Sequence, residues 1–150
     1  MKEALDKIIE MLKGFEHCRL IAYQDIVGVW TIGWGETLGV VQGMVWTQEQ
    51  ADERLRQRAW QFMLAVLTKC PQLHAEPSEL LAACTSLGYN IGTGAFGASS
   101  VCRKTGRKDY AGAADSILLW NKARGRVVRG LTLRRQSERL IYRSGHGSAQ

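Results

Sequence analysis

The sequence of 150 residues has only two prolines, no low-complexity tract and no long apolar run. The scarcity of proline and of biased composition argues against long disordered segments. The longest uninterrupted apolar stretch, residues 62–67, is far shorter than the roughly 20 residues that a membrane-spanning helix requires. Charged residues interrupt the first ten positions, where a signal peptide would place its apolar centre. We therefore expect neither a membrane anchor nor a leader.

Four cysteines, Cys18, Cys70, Cys84 and Cys102, are separated by 52, 14 and 18 residues. None of these gaps has the short spacing of a zinc site. A chain made without a leader stays in a reducing compartment, so we expect free and mostly buried thiols. We expect no metal and no cofactor.

The basic residues are concentrated towards the C-terminus. Residues 101–150 hold 12 basic and 3 acidic residues, a net charge of +9, whereas residues 1–100 hold 8 basic and 11 acidic residues. A basic third of this kind suits an anionic polymer or an anionic envelope surface. Because no nucleic-acid-binding motif accompanies the charge, we expect no nucleic-acid partner.

Helical periodicity dominates the chain. Apolar residues recur every three or four positions in five segments, which we expect to be helices: residues 2–14, 47–69, 77–87, 109–120 and 131–143. Thr47 and Gln50 have the spacing of a capping box. The last helix is expected to bury Leu133, Leu140 and Ile141. Glycines at 92, 94 and 97 predict a loop. Residues 145–148 are expected to form a frayed tail. Three tryptophans, Trp46, Trp60 and Trp120, are expected to lie in the core.

Residues 20–37 have a different pattern, in which β-branched and aromatic residues are punctuated by glycines. This pattern is typical of a small antiparallel hairpin or three-stranded meander, which needs helices as backing. We expect a single α+β domain over residues 1–150 that is mostly α. Its small antiparallel β lobe would span about 15–46 and its helical lobe about 47–144.

Glu16 and Asp25 form a candidate catalytic pair. Glu16 follows Phe15 at the end of the first predicted helix, and Asp25 lies nine residues on, in the predicted strand region. Glycoside cleavage uses one carboxylic acid that stays protonated in apolar surroundings and a second that is ionised. Two carboxylates at this spacing are by themselves unspecific, since most acidic residues are solvated surface groups.

The residues around the pair are more specific. Eight residues separate Glu16 from Asp25, and five more separate Asp25 from Thr31, which begins Thr-Ile-Gly-Trp-Gly at 31–35. This arrangement resembles the phage-type lysozymes, the endolysins of glycoside hydrolase family 24, in residue type and spacing. The resemblance extends, with less specific motifs, over roughly residues 3–143.

The resemblance implies a lysozyme-like fold and hydrolysis of the β-1,4 bond between N-acetylmuramic acid and N-acetylglucosamine in bacterial peptidoglycan. It implies that Glu16 is the general acid and that Asp25 and Thr31 position and activate water in an inverting reaction. Tyr89, as a stacking surface, and Asn90, as an amide hydrogen-bonder, resemble saccharide-contacting positions.

Two positions depart from the family pattern: His17 replaces a usual glycine, and Glu36 replaces a frequent histidine. A third carboxylate close to Glu16 would help to keep Glu16 protonated, because like charges raise one another's pKa.

The resemblance further implies a monomeric enzyme held in the host cytoplasm until a holin admits it to the periplasmic cell wall. The basic third would then face an anionic envelope, with the last helix presenting four arginines (Arg134, Arg135, Arg139 and Arg143) beside its apolar residues. Two alternatives stay open. One is a lytic transglycosylase acting on the same bond, which needs no water-activating Asp. The other is a non-catalytic protein that binds cell-wall glycan.

Overall fold

The computed structural model describes residues 1–146 and is mostly helical. Its elements in chain order are α1 (Lys2–Phe15), β1 (Arg19–Gln24), β2 (Trp30–Gly33), α2 (Gln48–Lys69), a 3₁₀ helix (Pro71–Ala75), α3 (Ser78–Ile91), α4 (Thr93–Gly97), α5 (Ser100–Gly106), α6 (Tyr110–Ile117), β3 (Lys122–Ala123), β4 (Arg126–Val127) and α7 (Arg129–Ser144). The predicted α+β class, with a small antiparallel sheet near the N-terminus, is confirmed.

Helix α3 lies at the centre of the helical part. Its residues 80–88 are all buried, and it packs against α1, α2 and α7. Gly88 permits the close approach of α2, since a Cβ there would lie 3.0 Å from Val66 Cγ2. The predicted apolar face of α1 is confirmed at Leu5, Ile8 and Leu12, which are buried in the same core.

The β1–β2 hairpin follows α1 directly. Its strands pair antiparallel with Tyr23 opposite Thr31, and a bridge from Ile21 to Val45 attaches the returning chain. The indole of Trp46 then packs on Gly33, where a Cβ would meet the ring at 2.9 Å. The predicted capping box at Thr47 begins α2 immediately afterwards. These contacts fix the hairpin against the helices.

The short elements between α3 and α7 differ from the sequence expectations. The predicted glycine loop contains α4, which buries only Phe96, and α5 was not predicted. The predicted helix from 109 ends at Ile117, before Trp120, and a second hairpin, β3–β4, follows. Its turn residues Arg124 and Gly125 have φ of 53° and 76°, as a two-residue type I′ turn requires. Elements of two to seven residues are too short to show a hydrophobic period.

The apolar face predicted for α7 is wrong at two of its three residues, because Leu133 and Leu140 are 51% and 69% exposed, whereas Ile141 is half-buried and packs against the core. The buried face consists of four other residues: Arg134, Arg135, Glu138 and Tyr142. Arg135 and Glu138 are buried as an ion pair, with Arg135 Nε 2.6 Å from Glu138 Oε1. A buried ion pair has the composition of a solvated face, so hydrophobic periodicity pointed to the wrong side of this helix.

Two smaller expectations also fail. Trp60 is 41% exposed, so it is no core residue. His146 stacks on Tyr110 with ring centroids 3.6 Å apart and lies 2.7 Å from a carboxylate oxygen of Glu76, so the chain is anchored to that point. The rest of the predicted frayed tail, residues 147–148, lies outside the described residues. Cys70, Cys84 and Cys102 are buried thiols, as expected.

Candidate active site

Glu16 caps the C-terminus of α1. Its N–H donates to the carbonyl of Leu12 at 2.8 Å, and its φ and ψ of −100° and 149° turn the chain towards β1. The carboxylate is half-buried, and a Cβ built on Gly35 would lie 3.4 Å from Glu16 Oε2, at van der Waals distance. Gly35 has a φ of +95°, a backbone conformation that favours glycine.

Arg134, from α7, holds the other oxygen of this carboxylate. Its Nη1 donates to Glu16 Oε1 at 3.4 Å, and its Nη2 donates to the carbonyl of Ser86 at 3.4 Å. The guanidinium also lies over the ring of Phe15, 4.5 Å from the ring centroid. Arg134 is almost completely buried, which excludes it from the exposed basic face predicted for α7. Sequence reasoning missed this role, although the spacing of Arg134, Arg135 and Glu138 was the available signal.

A buried polar network lies behind Arg134. Ser86 Oγ donates to Glu138 Oε2 at 2.6 Å, and Arg135 Nη2 donates to the same oxygen at 3.0 Å. Burial raises the pKa of Glu138, and the charge of Arg135 opposes that change. Arg135 Nη1 also donates to Asn90 Oδ1 at 2.9 Å. The predicted saccharide contact Asn90 is therefore tied to α7 through its amide oxygen.

Asp25 and Thr31 meet at Val29. Asp25 Oδ1 accepts from the N–H of Val29 at 2.8 Å and from that of Val27 at 3.0 Å. The Thr31 hydroxyl donates to the carbonyl of Val29 at 3.0 Å. Asp25 and Thr31 are thus linked through the backbone of Val29, Asp25 at its N–H and Thr31 at its carbonyl.

Glu36, which follows β2, is bound to α2 by two arginines. Its Oε1 accepts from Arg54 Nη1 at 2.7 Å, and its Oε2 accepts from Arg58 Nη2 at 3.2 Å. Burial alone would raise the pKa of Glu36, but the hydrogen bonds from Arg54 and Arg58 outweigh it and hold this pKa below its usual range. The third carboxylate noted in the sequence is therefore a paired anion.

Tyr89 lies near the end of α3, beside both carboxylates. Its ring packs on Phe62, with centroids 4.7 Å apart. Burial raises the pKa of Tyr89, and the negative charges of Glu16 and Glu36 raise it further. Both carboxylates are therefore close enough to the phenol for their charges to act on it. His17, the other departure from the family pattern, is exposed.

Within residues 1–146 no group of three His, Cys, Asp or Glu side chains is arranged to hold a metal ion. In the same part of the chain no helix combines the length and the apolarity that crossing a bilayer demands.

Comparisons with known proteins agree with this arrangement. The family model described as phage lysozyme matches residues 13–138. The endolysin of Acyrthosiphon pisum secondary endosymbiont phage 1 is 36% identical over 143 residues, which cover 93% of this chain and 97% of that protein. The endolysin of Salmonella phage P22 is 37% identical over 141 residues, which cover 91% of this chain and 94% of that protein.

A solved structure shows the same fold. The endolysin from Escherichia coli O157:H7 phage FAHEc1 superposes with a TM-score of 0.81 at 31% identity, covering 91% of this chain and 90% of that one. Because the family match includes the hairpin, the core helices and most of α7, the chain belongs to the phage lysozyme family and is a glycoside hydrolase.

Proposed function

We propose that this chain is an endolysin that cleaves the β-1,4 bond between N-acetylmuramic acid and N-acetylglucosamine in bacterial peptidoglycan, by hydrolysis with inversion. The observation that carries the proposal is the placement of Glu16, whose Oε1 accepts from the buried Arg134 and whose Oε2 lies 3.4 Å from the Cβ position of Gly35. The whole chain would act as one catalytic domain, with a β lobe at about 15–46 and a helical lobe at about 47–144.

Glu16 serves as the general acid. A protonated carboxyl group at this position donates its proton to the oxygen of the leaving sugar as the glycosidic bond breaks. The carboxylate that remains carries a negative charge beside the Arg134 guanidinium, which stabilises it. Arg134 therefore stabilises Glu16 most strongly after the proton has been transferred to the leaving sugar.

Asp25 and Thr31 position the attacking water. The hydroxyl hydrogen of Thr31 is used on the carbonyl of Val29, so this oxygen meets a water molecule as an acceptor. Asp25, fixed by two backbone donors, accepts a hydrogen from the same water. Water that donates both hydrogens keeps a lone pair free to attack the sugar from the face opposite to the acid, which gives inversion.

Tyr89 and Asn90 contribute to sugar binding. The ring of Tyr89 offers an apolar face to a sugar beside Glu16. Asn90 uses its oxygen on Arg135 and would donate to a sugar acetamide or hydroxyl through Nδ2.

The cationic surface that would attract an anionic partner lies on the β3–β4 hairpin and at the start of α7, whereas three of the four arginines predicted for the exposed face of α7 are engaged elsewhere. Arg134 and Arg135 are buried, and Arg139 is paired with Asp115 at 2.8 Å. Between Asp115 and Glu138 the sequence has no acidic residue. This stretch exposes four cations in and just after the hairpin: Lys122, Arg124, Arg126 and Arg129. They would attract the phosphate- and carboxylate-rich envelope.

The working context is that of a lysis enzyme. The protein would wait in the host cytoplasm as a monomer, pass through a holin lesion and reach the wall in the periplasm. It would need no metal and no cofactor, and nucleic acid would not be a partner.

The test is mass spectrometry of the fragments released from purified sacculi in ¹⁸O-labelled water, for the wild type and Glu16→Gln. Hydrolysis predicts fragments that end in reducing muramic acid and carry one heavy oxygen, with none from the variant. Anhydro-muramic ends without the label would instead identify a transglycosylase and remove Asp25 and Thr31 from the mechanism. Binding to sacculi without any release of fragments would identify a non-catalytic glycan-binding protein.

A further inference from the structure

Glu36, Arg54 and Arg58 form a charge cluster that the catalytic proposal does not use. The Glu36 side chain is 6% exposed, and the side chains of Arg54 and Arg58 are 37% and 31% exposed. Glu36 also accepts from the N–H of Thr37 at 3.1 Å. Two guanidinium groups and one carboxylate leave a net positive charge at a partly buried position, where water screens charge less than it does at the surface.

The cluster lies close to Glu16. Gly35, whose Cβ position lies 3.4 Å from Glu16 Oε2, is the residue immediately before Glu36. Tyr89 lines one small cavity with Glu36, Arg54 and Arg58. The negative charges of Glu16 and Glu36 both raise the pKa of the Tyr89 phenol, which places both carboxylates in its neighbourhood.

The charged groups of α1 and α7 around Glu16 have partners. From α7, Arg134 faces Glu16, and its Nε lies 3.5 Å from Glu138 Oε2, an oxygen that also accepts from Arg135. On α1, Lys13 is neutralised by Asp52 of α2 at 3.4 Å. His17, next to Glu16, is exposed to solvent. The Glu36 cluster, like the group of Arg134, Arg135 and Glu138, has two cations for one carboxylate, and the catalytic proposal does not use it.

We propose that Glu36 is a positioning residue for the reaction, which offsets the charges of Arg54 and Arg58 so that Glu16 keeps its proton at the pH where cleavage takes place. The inference rests on the proposed role of Glu16 as the acid. Without the Glu36 charge, two unbalanced guanidinium groups favour the ionised form of Glu16, which has no proton to donate. Activity would then be lost at a lower pH.

The experiment is the pH dependence of kcat/KM on solubilised peptidoglycan for a set of charge variants. Glu36→Gln is expected to move the alkaline limb of the profile towards acid by about half a pH unit, which is roughly a threefold loss of kcat on that limb with little change in KM. Arg58→Gln is expected to move the limb in the opposite direction. The double variant, which has the wild-type net charge, is expected to return it.

Glu53→Gln is the matched control. It removes the same charge from α2, the helix that carries Arg54 and Arg58, but Glu53 is exposed and its Oε1 accepts from Gln57 at 3.5 Å. Its alkaline limb should coincide with that of the wild type. A Glu36→Gln profile that also coincides with the wild type, or a double variant that stays displaced, would overturn the proposal. Because Arg58→Gln keeps the carboxylate, its opposite shift tests the proposal even if Glu36→Gln does not fold.

A carboxyl titration separates this inference from the proposed function. Carbon-13 NMR of the Glu16 carboxyl group measures its ionisation directly in the wild type and in each variant. The displacement between variants is expected whether or not Glu16 is the acid. If Glu16→Gln retained activity while the titration shifted as expected, the proposed function would fail and the electrostatic role of Glu36 would stand. If the Glu16 titration were the same in all variants while Glu16→Gln abolished activity, the electrostatic role of Glu36 would fail and the proposed function would stand.

Discussion

Arg134 and Glu16 are 118 positions apart in the sequence, and the guanidinium of Arg134 donates to the carboxylate of Glu16 at 3.4 Å. The contact joins the last helix to the end of the first. Since Arg134 also lies on Phe15 and is paired with Glu138, its position is set by the core rather than by solvent. The proposed acid therefore depends on the packing of α7.

We predict that Arg134→Gln lowers kcat by about ten- to a hundredfold, because Glu16 loses both its anchor and the charge that stabilises it after proton transfer. The free energy of unfolding should also fall, by about 1–3 kcal/mol, since buried polar groups lose a partner. Steady-state kinetics and urea unfolding measure the two effects. Arg139→Gln on the same helix removes a partly exposed pair with Asp115 and should change either quantity little. Wild-type kcat in Arg134→Gln would contradict the role.

Gly35→Ala is predicted to reduce activity more than its effect on stability explains. The new methyl group would lie 3.4 Å from Glu16 Oε2, so a backbone adjustment that relieves the left-handed conformation at position 35 would be transmitted to the carboxylate. Gly39→Ala is the matched control, because Gly39 also has a positive φ of 71° but no atom lies within 4 Å of its Cβ position. Both variants should lose about 1–2 kcal/mol through the left-handed backbone, and only Gly35→Ala should lose tenfold or more in kcat. Equal losses of activity would show that the contact with Glu16 is unimportant.

Acid should weaken the attachment of the β1–β2 region to α2. The pKa of Glu36 is lowered in the folded protein, with the hydrogen bonds from Arg54 and Arg58 outweighing burial. Its stabilising contribution is therefore complete above the unfolded pKa and is lost as the pH falls through the lower folded value. Urea midpoints at pH 7 and pH 3 should differ more for the wild type than for Glu36→Gln. If the urea midpoint changed equally with pH in the two proteins, Glu36 would not contribute to stability in this way.

The β3–β4 hairpin is predicted to bind the envelope electrostatically. Arg124→Gln combined with Arg126→Gln should weaken binding to sacculi several-fold at low salt and have little effect at about 0.5 M salt, where screening is short-ranged. Arg107→Gln with Lys108→Gln is a fair control, because it removes the same charge and Lys108 has a φ of 62° that matches the 53° of Arg124. Cosedimentation measures binding. Equal losses for the two double variants would assign the effect to net charge instead of to the hairpin.

The sequence predicted the parts of this molecule that depend on local pattern. The apolar repeat of α1, the capping box of Thr47 and the strand region from 20 to 37 are all found where their residue types place them. The joining of Asp25 and Thr31 through Val29 follows from the same short-range spacing, since a tight turn brings near neighbours together.

Long-range ion pairs could not be derived in the same way. Arg134 and Arg135 have the composition of a solvated surface, and only their burial against Glu138 shows that they belong to the core. Glu36 was noticed as an unusual residue, but its pairing with Arg54 and Arg58 depends on how the hairpin packs against α2. Hydrophobic periodicity depends only on the positions of apolar side chains, so it cannot predict which polar groups are buried in pairs.

The most direct test of the account is kcat for Glu16→Gln on purified sacculi at the pH optimum of the wild type, with the urea midpoint of both proteins measured alongside. The amide is isosteric and has no proton to donate, so we expect kcat to fall by about a thousandfold or more while the urea midpoint stays close to that of the wild type. A folded Glu16→Gln protein whose kcat is within tenfold of the wild type would contradict the assignment of Glu16 as the general acid.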